Sequence, residues 1–416
     1  VNIVYLTWGE TPRSYGIFGS QVLNQFTAIK DEIEKSSDLT FIAAVPIIHS
    51  GLFREGVSYV QELNKVKSKL KNIEFLWIPI ITTQNFVNPS RLTFGLMHIG
   101  CYKNLAKKLI NKNPDILHCR SYHAAYAAIK IRSQYSLNYK IVFDTRGPWP
   151  EAVAFKRGYK DESRDYIYLK KLEKWLLDNS NIIVSVSDTM TAQYKKITQT
   201  PIETIYLSAP VDKINQANHI IRSNNTKEEI SLVYLGALSN KDWHTPQNLE
   251  KVYSKLFAEF TSTKLLIITT SNHDPIKRIL SKYLQHITIT STKTPEELAI
   301  ALSKANIACL PGISPSNNIE KTLFESILGT KTVEYLSAGL PVICNKECAG
   351  AAMLIEKHNL GLVYNPINLS EITKESVTTL INNSLSQRAY DTSSKLFDYK
   401  LNAHRYINLY KSLLNT

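Results

Sequence analysis

The stretch Gly329-Thr330-Lys331-Thr332-Val333-Glu334-Tyr335-Leu336-Ser337-Ala338-Gly339-Leu340-Pro341-Val342-Ile343 decides how this chain is read. Its punctuation is that of a loop, a short helix and a strand. Thr330 is expected as the N-cap, Gly339 as a left-handed closing residue, and Pro341 cannot continue a helix. Val342-Ile343 then opens a buried strand. Lys331 and Glu334 fall in the first helical turn, where free amides and the helix dipole favour an anion. A cation there can hold phosphate, and a carboxylate one turn on can accept hydrogen bonds from a ribose diol. An isolated K-x-x-E also reads as an ordinary solvated helix start, so the segment as a whole has to carry the argument.

Outward from that segment, strands alternate with helices throughout. Strands are expected at Ile3–Thr7, Leu39–Pro46, Glu74–Ile80, Ile116–Cys119, Lys140–Asp144 and Asn181–Val186. Helical periodicity fills segments between them, such as Gln21–Lys35 and Ala124–Ser133. After a polar stretch at Ala209–Lys227 the pattern restarts with Ser231–Leu235, Lys264–Thr269, Ile287–Thr290, Ile307–Leu310, Pro341–Cys344 and Gly361–Tyr364. Such alternation implies an α/β protein with two Rossmann-like, doubly wound parallel sheets. The expected division is residues 1–210 and 211–392, with a final helix over 393–414. Ligands of such sheets bind beyond the carboxyl ends of the strands, so a cleft faced by both units is the expected site.

Length and composition agree. At 416 residues the chain exceeds one ordinary core. A hydrophobic fraction of 44% with 10% aromatics is that of a globular protein. No apolar run reaches transmembrane length, and Val1–Leu6 reads as a core strand rather than a leader. The five cysteines are odd in number and scattered; Cys344-x3-Cys348 has no second pair to complete a zinc site. Free thiols in a reducing, cytoplasmic setting are expected. The net charge of +13 is uneven, with 27 Lys+Arg against 18 Asp+Glu in residues 1–205. Lys65, Lys67, Lys69 and Lys71, and Lys103, Lys107, Lys108 and Lys112, lie on expected helices. No nucleic-acid-binding motif accompanies them. An anionic membrane surface and a simple solvated face stand as the two readings.

The segment T-K-x-x-E-Y-L-x-A-G-L-P-V-I resembles the nucleotide-sugar-binding segment of retaining glycosyltransferases of family 4, which have the GT-B fold. The resemblance covers nearly the whole chain and is strongest over residues 305–345 and 140–151. It implies that Glu334 binds the donor ribose and that Lys331, with Thr330 and the first-turn amides, holds the diphosphate. Many members carry E-x7-E; here the earlier position is Ser326, with Glu325 beside it. Tyr234-Leu235-Gly236-Ala237-Leu238-Ser239-Asn240-Lys241-Asp242-Trp243-His244 is similar to the donor domain's first strand and glycine loop. Ala237 replaces the family's Arg and Lys241 comes one residue early. Gly236, Lys241 and Pro311 are the remaining donor-side candidates.

In the first half, Gly16 and Gly19 would let backbone approach a ligand, and Ser20 would cap the next helix. The resemblance implies that this loop faces the diphosphate and the acceptor. Ile116-Leu117-His118-Cys119-Arg120-Ser121-Tyr122-His123 resembles the family's D-I-x-H-x-H region, with Arg120 at the second His position. Arg cannot accept a hydrogen bond or act as a base near neutrality. Asp144-Thr145-Arg146-Gly147-Pro148-Trp149-Pro150-Glu151 matches members that build bacterial surface polysaccharides. Arg120, Asp144 and Arg146 join Lys331 as catalytic candidates. His118, Tyr122, His123, Trp149 and Glu151 are expected on the acceptor side, with Trp149 stacking on a sugar. Ion pairing of Arg146 with Asp144 or Glu151 is an equally good structural reading.

These parts imply a metal-independent retaining transferase, without cofactor, moving a hexose or N-acetylhexosamine from a nucleotide sugar to a polysaccharide or lipid-linked acceptor. A GT-B nucleotide-sugar epimerase and a non-catalytic binding protein are the rivals. Released sugar nucleotide without acceptor use would mark the first, and absence of donor hydrolysis the second.

Overall fold

A computed structural model describes residues 1–14, 16–34, 37–46, 55–80, 101–215, 229–240, 242–260 and 262–415. Lys241 lies outside these residues, as do Tyr15 of the first loop and residues 216–228 of the polar stretch. The chain divides into two compact units, Val1–Tyr206 with Tyr399–Thr416, and Leu207–Asp398.

The first unit holds β1 (Asn2–Trp8), β2 (Asp38–Pro46), β3 (Glu74–Ile80), β4 (Ile116–Arg120), β5 (Lys140–Asp144), β6 (Ile182–Ser185) and β7 (Ile202–Thr204). Their order is β3-β2-β1-β4-β5-β6-β7, with all paired strands parallel. The second unit holds β8 (Glu229–Leu235), β9 (Ser262–Ile268), β10 (Ile287–Thr290), β11 (Ile307–Leu310), β12 (Val342–Asn345) and β13 (Gly361–Tyr364), in the order β10-β9-β8-β11-β12-β13. The order reverses between β1 and β4, and again between β8 and β11. At each reversal the connections leave in opposite directions, which opens a crevice at the carboxyl ends.

The strands buried on both faces read as near-continuous apolar runs, such as Ile116-Leu117 in β4 and Val342-Ile343 in β12. The strand missed by pattern alone is β7, where exposed Glu203 stands between half-buried Ile202 and Thr204 after Pro201, the composition of an edge.

The helix expected over residues 393–414 is two helices, Asn383–Phe397 and Tyr399–Leu414. Asp398 between them is extended (φ −62°, ψ 135°) and bridges to Ala209. No Gly or Pro marks the joint, so periodicity runs straight through it. Only the second helix belongs to the first unit. There Ala403, Tyr406, Ile407, Tyr410 and Leu413 enter the core beside Val22, Phe26 and Ile29.

Candidate functional site

In the second unit the deciding segment forms the helix Thr330–Ser337. Gly329, in extended conformation, is its N-cap, so Thr330 is the first helical residue rather than the cap. The far end closes as a Schellman motif: Gly339 (φ +63°) donates to the Leu336 carbonyl and Leu340 to that of Tyr335, each at 2.9 Å. One face of this helix fixes the crevice. The Tyr335 hydroxyl accepts from the Leu235 amide at 2.6 Å and donates to the Cys309 carbonyl at 3.4 Å, tying β8 to β11 where they diverge.

Lys331 and Glu334 stand beside that tie. The Lys331 ammonium donates to the Tyr234 hydroxyl at 3.0 Å and lies 4.9 Å from the centre of its ring. Gly236 (φ +112°) makes the space: a Cβ there would stand 3.1 and 3.2 Å from Lys331 Cε and Nζ. The Gly236 amide is spent on the Ile268 carbonyl at 2.9 Å, which corrects its expected part in phosphate binding. Burial lowers the Lys331 pKa to about 8, the charges of Cys348, Glu334 and Asp242 only partly opposing it. Burial likewise raises Glu334 to about 7, against the pull of Lys331. Among the described residues the Glu334 carboxylate has no hydrogen-bond or ion-pair partner, and the Thr330 and Lys331 amides have none either. His244, nearly buried, completes the group. Its Nδ1 is buried without a partner, its ring packs edge-on to Tyr234, and burial followed by the Lys331 charge keeps it neutral. Pro311, buried, follows β11, and Gly312 forms a bridge with His244. Ser326 is fully buried and donates to the Thr322 carbonyl at 2.7 Å, an internal bond of its own helix.

The first unit treats its charged residues differently. Asp144 is 1% exposed, and its Oδ2 accepts from Tyr406 (3.2 Å) and Arg146 (3.4 Å) and pairs with His118 Nε2 (3.4 Å). Burial works against its charge, yet Arg146, His118 and Arg120 hold it at about 2. His118 is fully buried, and its Nδ1 shares a 2.6 Å hydrogen bond with the Tyr410 hydroxyl. Arg120 is buried on Glu10, 3.0 Å from Nε, and reaches the Gln21 carbonyl. Tyr122 is buried, donating to Glu173 at 2.6 Å and sharing a bond with Tyr194 at 2.8 Å. Glu151 is buried beneath Lys170 (2.8 Å) and Tyr166 (3.0 Å). His123 is buried edge-on to Trp149, ring centres 5.0 Å apart. His118, Arg120, Tyr122, His123, Asp144 and Glu151 are thus buried and engaged by residues of their own unit, with Asp144 Oδ1 and Glu151 Oε2 left without a partner. Arg146, in left-handed backbone (φ +61°), bonds Asp144 and Gln21 but keeps part of its guanidinium exposed. Trp149 is also half-exposed, though its ring rests on Tyr122 and His123 rather than standing free.

The first loop differs from expectation in its glycines. Gly16 (φ +63°) is exposed with open space around it. Gly19 lies in a π-helical turn, Phe18–Leu23, where a Cβ would stand 2.5 Å from the Ser14 carbonyl oxygen. Its close approach is to the chain's own backbone. Ser20 is inside the same turn, donating to the Gly16 carbonyl at 3.0 Å, and does not cap a helix.

Two family profiles divide the chain between them. "Glycosyltransferase Family 4" matches residues 64–212, and "Glycosyl transferases group 1" matches residues 215–396. The chain belongs to the family 4, group 1 glycosyltransferases. Solved structures agree on the GT-B fold. Sucrose-phosphate synthase from Thermosynechococcus elongatus superposes with a TM-score of 0.69 at 13% identity, over 100% of this chain and 99% of that one. The lipopolysaccharide outer core galactosyltransferase WaaB gives 0.62 at 12% identity, over 99% and 100%. HepE from Anabaena, solved with UDP and glucose, gives 0.61 at 11%, over 99% of each. No curated protein matches the chain by sequence.

Within this glycosyltransferase, Tyr234 and His244 bound the stretch that resembles the glycine loop, but the sequence assigns neither a role. The signal for Tyr234 was its place one residue before the carboxyl end of β8, at the reversal of strand order. His244 carried none by type alone, since a lone His on a loop is most often structural. Its role is legible only from the orphaned Nδ1 beside Lys331. Among the described residues no helix is long and apolar enough to cross a membrane.

Proposed function

We propose that this glycosyltransferase moves a hexose or N-acetylhexosamine from a nucleoside-diphosphate sugar to a saccharide or lipid-linked saccharide, with retained anomeric configuration and no obligatory metal. The observation that carries the reading is the unneutralised group at the β8–β11 reversal: Lys331 and Glu334 of opposite charge, both desolvated, with free helix amides and an orphaned His244 nitrogen. Lys331 and the Thr330 and Lys331 amides stabilise the departing diphosphate, whose charge grows in the transition state. Glu334 accepts from the ribose diol. Neutral His244, its N–H engaged by the Pro311 carbonyl, leaves Nδ1 to accept from a donor hydroxyl. The binding of UDP and UDP-glucose by HepE supports a nucleotide donor. Acceptor contact falls to Arg146 and Trp149, the exposed remainder of the first unit's motif. A donor phosphate oxygen takes the acceptor's proton on the front face, a route that asks for no protein nucleophile.

The first unit is also proposed to lie on an anionic membrane surface. On the helix Val57–Lys69, Lys65, Lys67 and Lys69 are exposed alongside Val57 and Val60, 75% and 45% exposed. Apolar and basic side chains presented together suit a headgroup layer. Binding to anionic vesicles that weakens with salt is expected; equal binding to neutral vesicles contradicts it.

A thermal-shift series with UDP, GDP, ADP and dTDP sugars tests the donor reading. A saturating donor at a hundred times Kd stabilises by about 2.7 kcal/mol. One nucleotide is expected to raise the melting temperature, and transfer of labelled sugar should persist in EDTA. A flat response to all four contradicts the proposal.

A further inference from the structure

The helix Arg164–Asp178 of the first unit carries a carboxylate that no step of the transfer uses. Glu173 is fully buried, and both of its oxygens are engaged. Oε1 accepts from the Tyr122 hydroxyl at 2.6 Å, and Oε2 pairs with the Lys170 ammonium. The same ammonium donates to Glu151 Oε1 at 2.8 Å, where the Tyr166 hydroxyl adds a bond at 3.0 Å. Two buried carboxylates thus share one cation, and Glu151 Oε2 is left without a partner. As a source of stability this is a poor arrangement, since apolar side chains of similar volume commonly do as well or better. Buried charged networks are best attested where they select one arrangement of the chain among several.

Both arms of Glu173 end at Trp149. Through the first arm, the Tyr122 ring lies 5.2 Å from the Trp149 ring at an angle of 34°. Tyr122 is itself pinned, at its hydroxyl by Glu173 and at its ring by Phe143, edge to face at 5.1 Å. His123 meets the same indole at 82°, ring centres 5.0 Å apart. Through the second arm, Lys170 holds Glu151, two residues beyond Trp149 in the first turn of the helix Trp149–Arg157. The Gly147 carbonyl, in the turn leading into that helix, lies 3.3 Å from the Tyr122 hydroxyl. One carboxylate therefore braces the ring against which the indole rests and the helix that carries the indole.

We propose that Glu173 is a positioning residue for Trp149, holding the indole in one orientation by way of Tyr122 and Lys170. Being fully buried, Glu173 acts only through these neighbours. An indole that cannot turn presents a fixed face to a sugar ring, so less ordering remains to be done when a saccharide acceptor binds. That last consequence rests on the reading of Trp149 as an acceptor contact; the orientation of the indole does not.

Fluorine NMR of the full chain carrying 5-fluorotryptophan tests the orientation. The five tryptophans give one resonance each, and Trp149→Phe identifies that of Trp149. Tyr122→Phe removes one hydroxyl, and Glu173→Leu removes both arms; Lys170 keeps Glu151 in either variant. Both should shift and broaden the Trp149 resonance, while that of Trp243, in the other unit, stays in place. Glu173→Gln keeps an acceptor for Tyr122 and should fall between wild type and Glu173→Leu. A native Trp149 resonance in these variants overturns the proposal even if they melt below wild type, because a merely structural carboxylate gives that result. Tyr122→Phe decides the matter if Glu173→Leu does not fold. Transfer from the donor found in the nucleotide screen is then followed with octyl glucoside and octyl N-acetylglucosaminide as acceptor probes. The acceptor kcat/KM should fall about ten- to a hundredfold in Tyr122→Phe and Glu173→Leu, with the donor KM near wild type. A displaced Trp149 resonance with unchanged acceptor kinetics upholds the positioning role and counts against the acceptor reading alone, as does an unimpaired Trp149→Ala.

Discussion

The two units gather charged residues in the same place, the carboxyl ends of parallel strands at a reversal of strand order, and use them in opposite ways. Around Asp144 the charges are paired: Arg146, His118 and Tyr406 converge on Oδ2, Arg120 rests on Glu10, and Tyr410 closes the His118 ring, while Asp144 Oδ1 and Arg146 Nε stay buried without a partner. Around Lys331 they are left short. Lys331 has a phenol and a ring for company, Glu334 has no partner among the described residues, and His244 buries a bare nitrogen. Desolvated charge without a partner costs stability and persists where a ligand repays it. Motif likeness cannot separate the two clusters. Their ion pairs can.

Removing a partner from each cluster should therefore give opposite phenotypes. The largest effect belongs to Asp144→Ala, which takes the carboxylate from half-buried Arg146 and from the buried His118 ring. Breaking a buried pair from one side costs about 3–5 kcal/mol. Chemical denaturation should show a loss of that size, and the stabilisation from Asp144 should fade as pH falls through about 2, since its folded pKa lies below its unfolded one. An Asp144→Ala protein of normal stability and no activity would turn the comparison around and make Asp144 catalytic.

Lys331→Ala should do the reverse. Initial-rate assays should show turnover falling about a hundredfold, the scale of losing one preorganised charge stabiliser. Ligand-free melting should stay close to wild type, because the ammonium gives up solvation to sit where it does. His244→Ala should be milder, weakening donor affinity about three- to tenfold in a titration, the worth of one net hydrogen bond. Smallest is the effect of pH on the native protein. Glu334 is ionised above about 7 and Lys331 charged below about 8, so donor affinity should peak between those values and decline on both sides. Lys331→Arg should extend the alkaline side. A flat profile from pH 6 to 9 would separate this pair from the donor.

Much of this was legible in the sequence, for physical reasons. Buried parallel strands must be apolar on both faces, so twelve could be placed from their runs alone, and Gly339 with Pro341 fixed the end of the deciding helix. The break at Asp398 was hidden because an extended residue between two amphipathic helices leaves no mark in the pattern. The partners of the first unit's candidates were hidden for a related reason. His118, Tyr122 and Glu151 are polar residues in a recognisable motif, but their partners, Tyr410, Glu173 and Lys170, are distant in sequence. Gly19 reads from sequence as making way for a ligand and Gly236 as a donor contact, whereas they make way for the Ser14 carbonyl and the Lys331 side chain. Close approach was the right inference, and its object could not be read from one chain.

The central claim, that the second cluster is held unpaired for a donor, is tested most directly by Glu334→Gln measured with and without the donor found in the nucleotide screen. Burial raises the folded pKa of Glu334 to about 7, so its ionisation costs stability at pH 8 and nothing below its unfolded pKa. The ligand-free variant should melt at or above wild type at pH 8. Hydrogen bonds to a charged group contribute about 1.5–3 kcal/mol, so the variant should bind donor roughly tenfold more weakly or worse. Normal donor affinity, or a ligand-free variant that melts below wild type, would contradict the account and make Glu334 a structural residue of its helix.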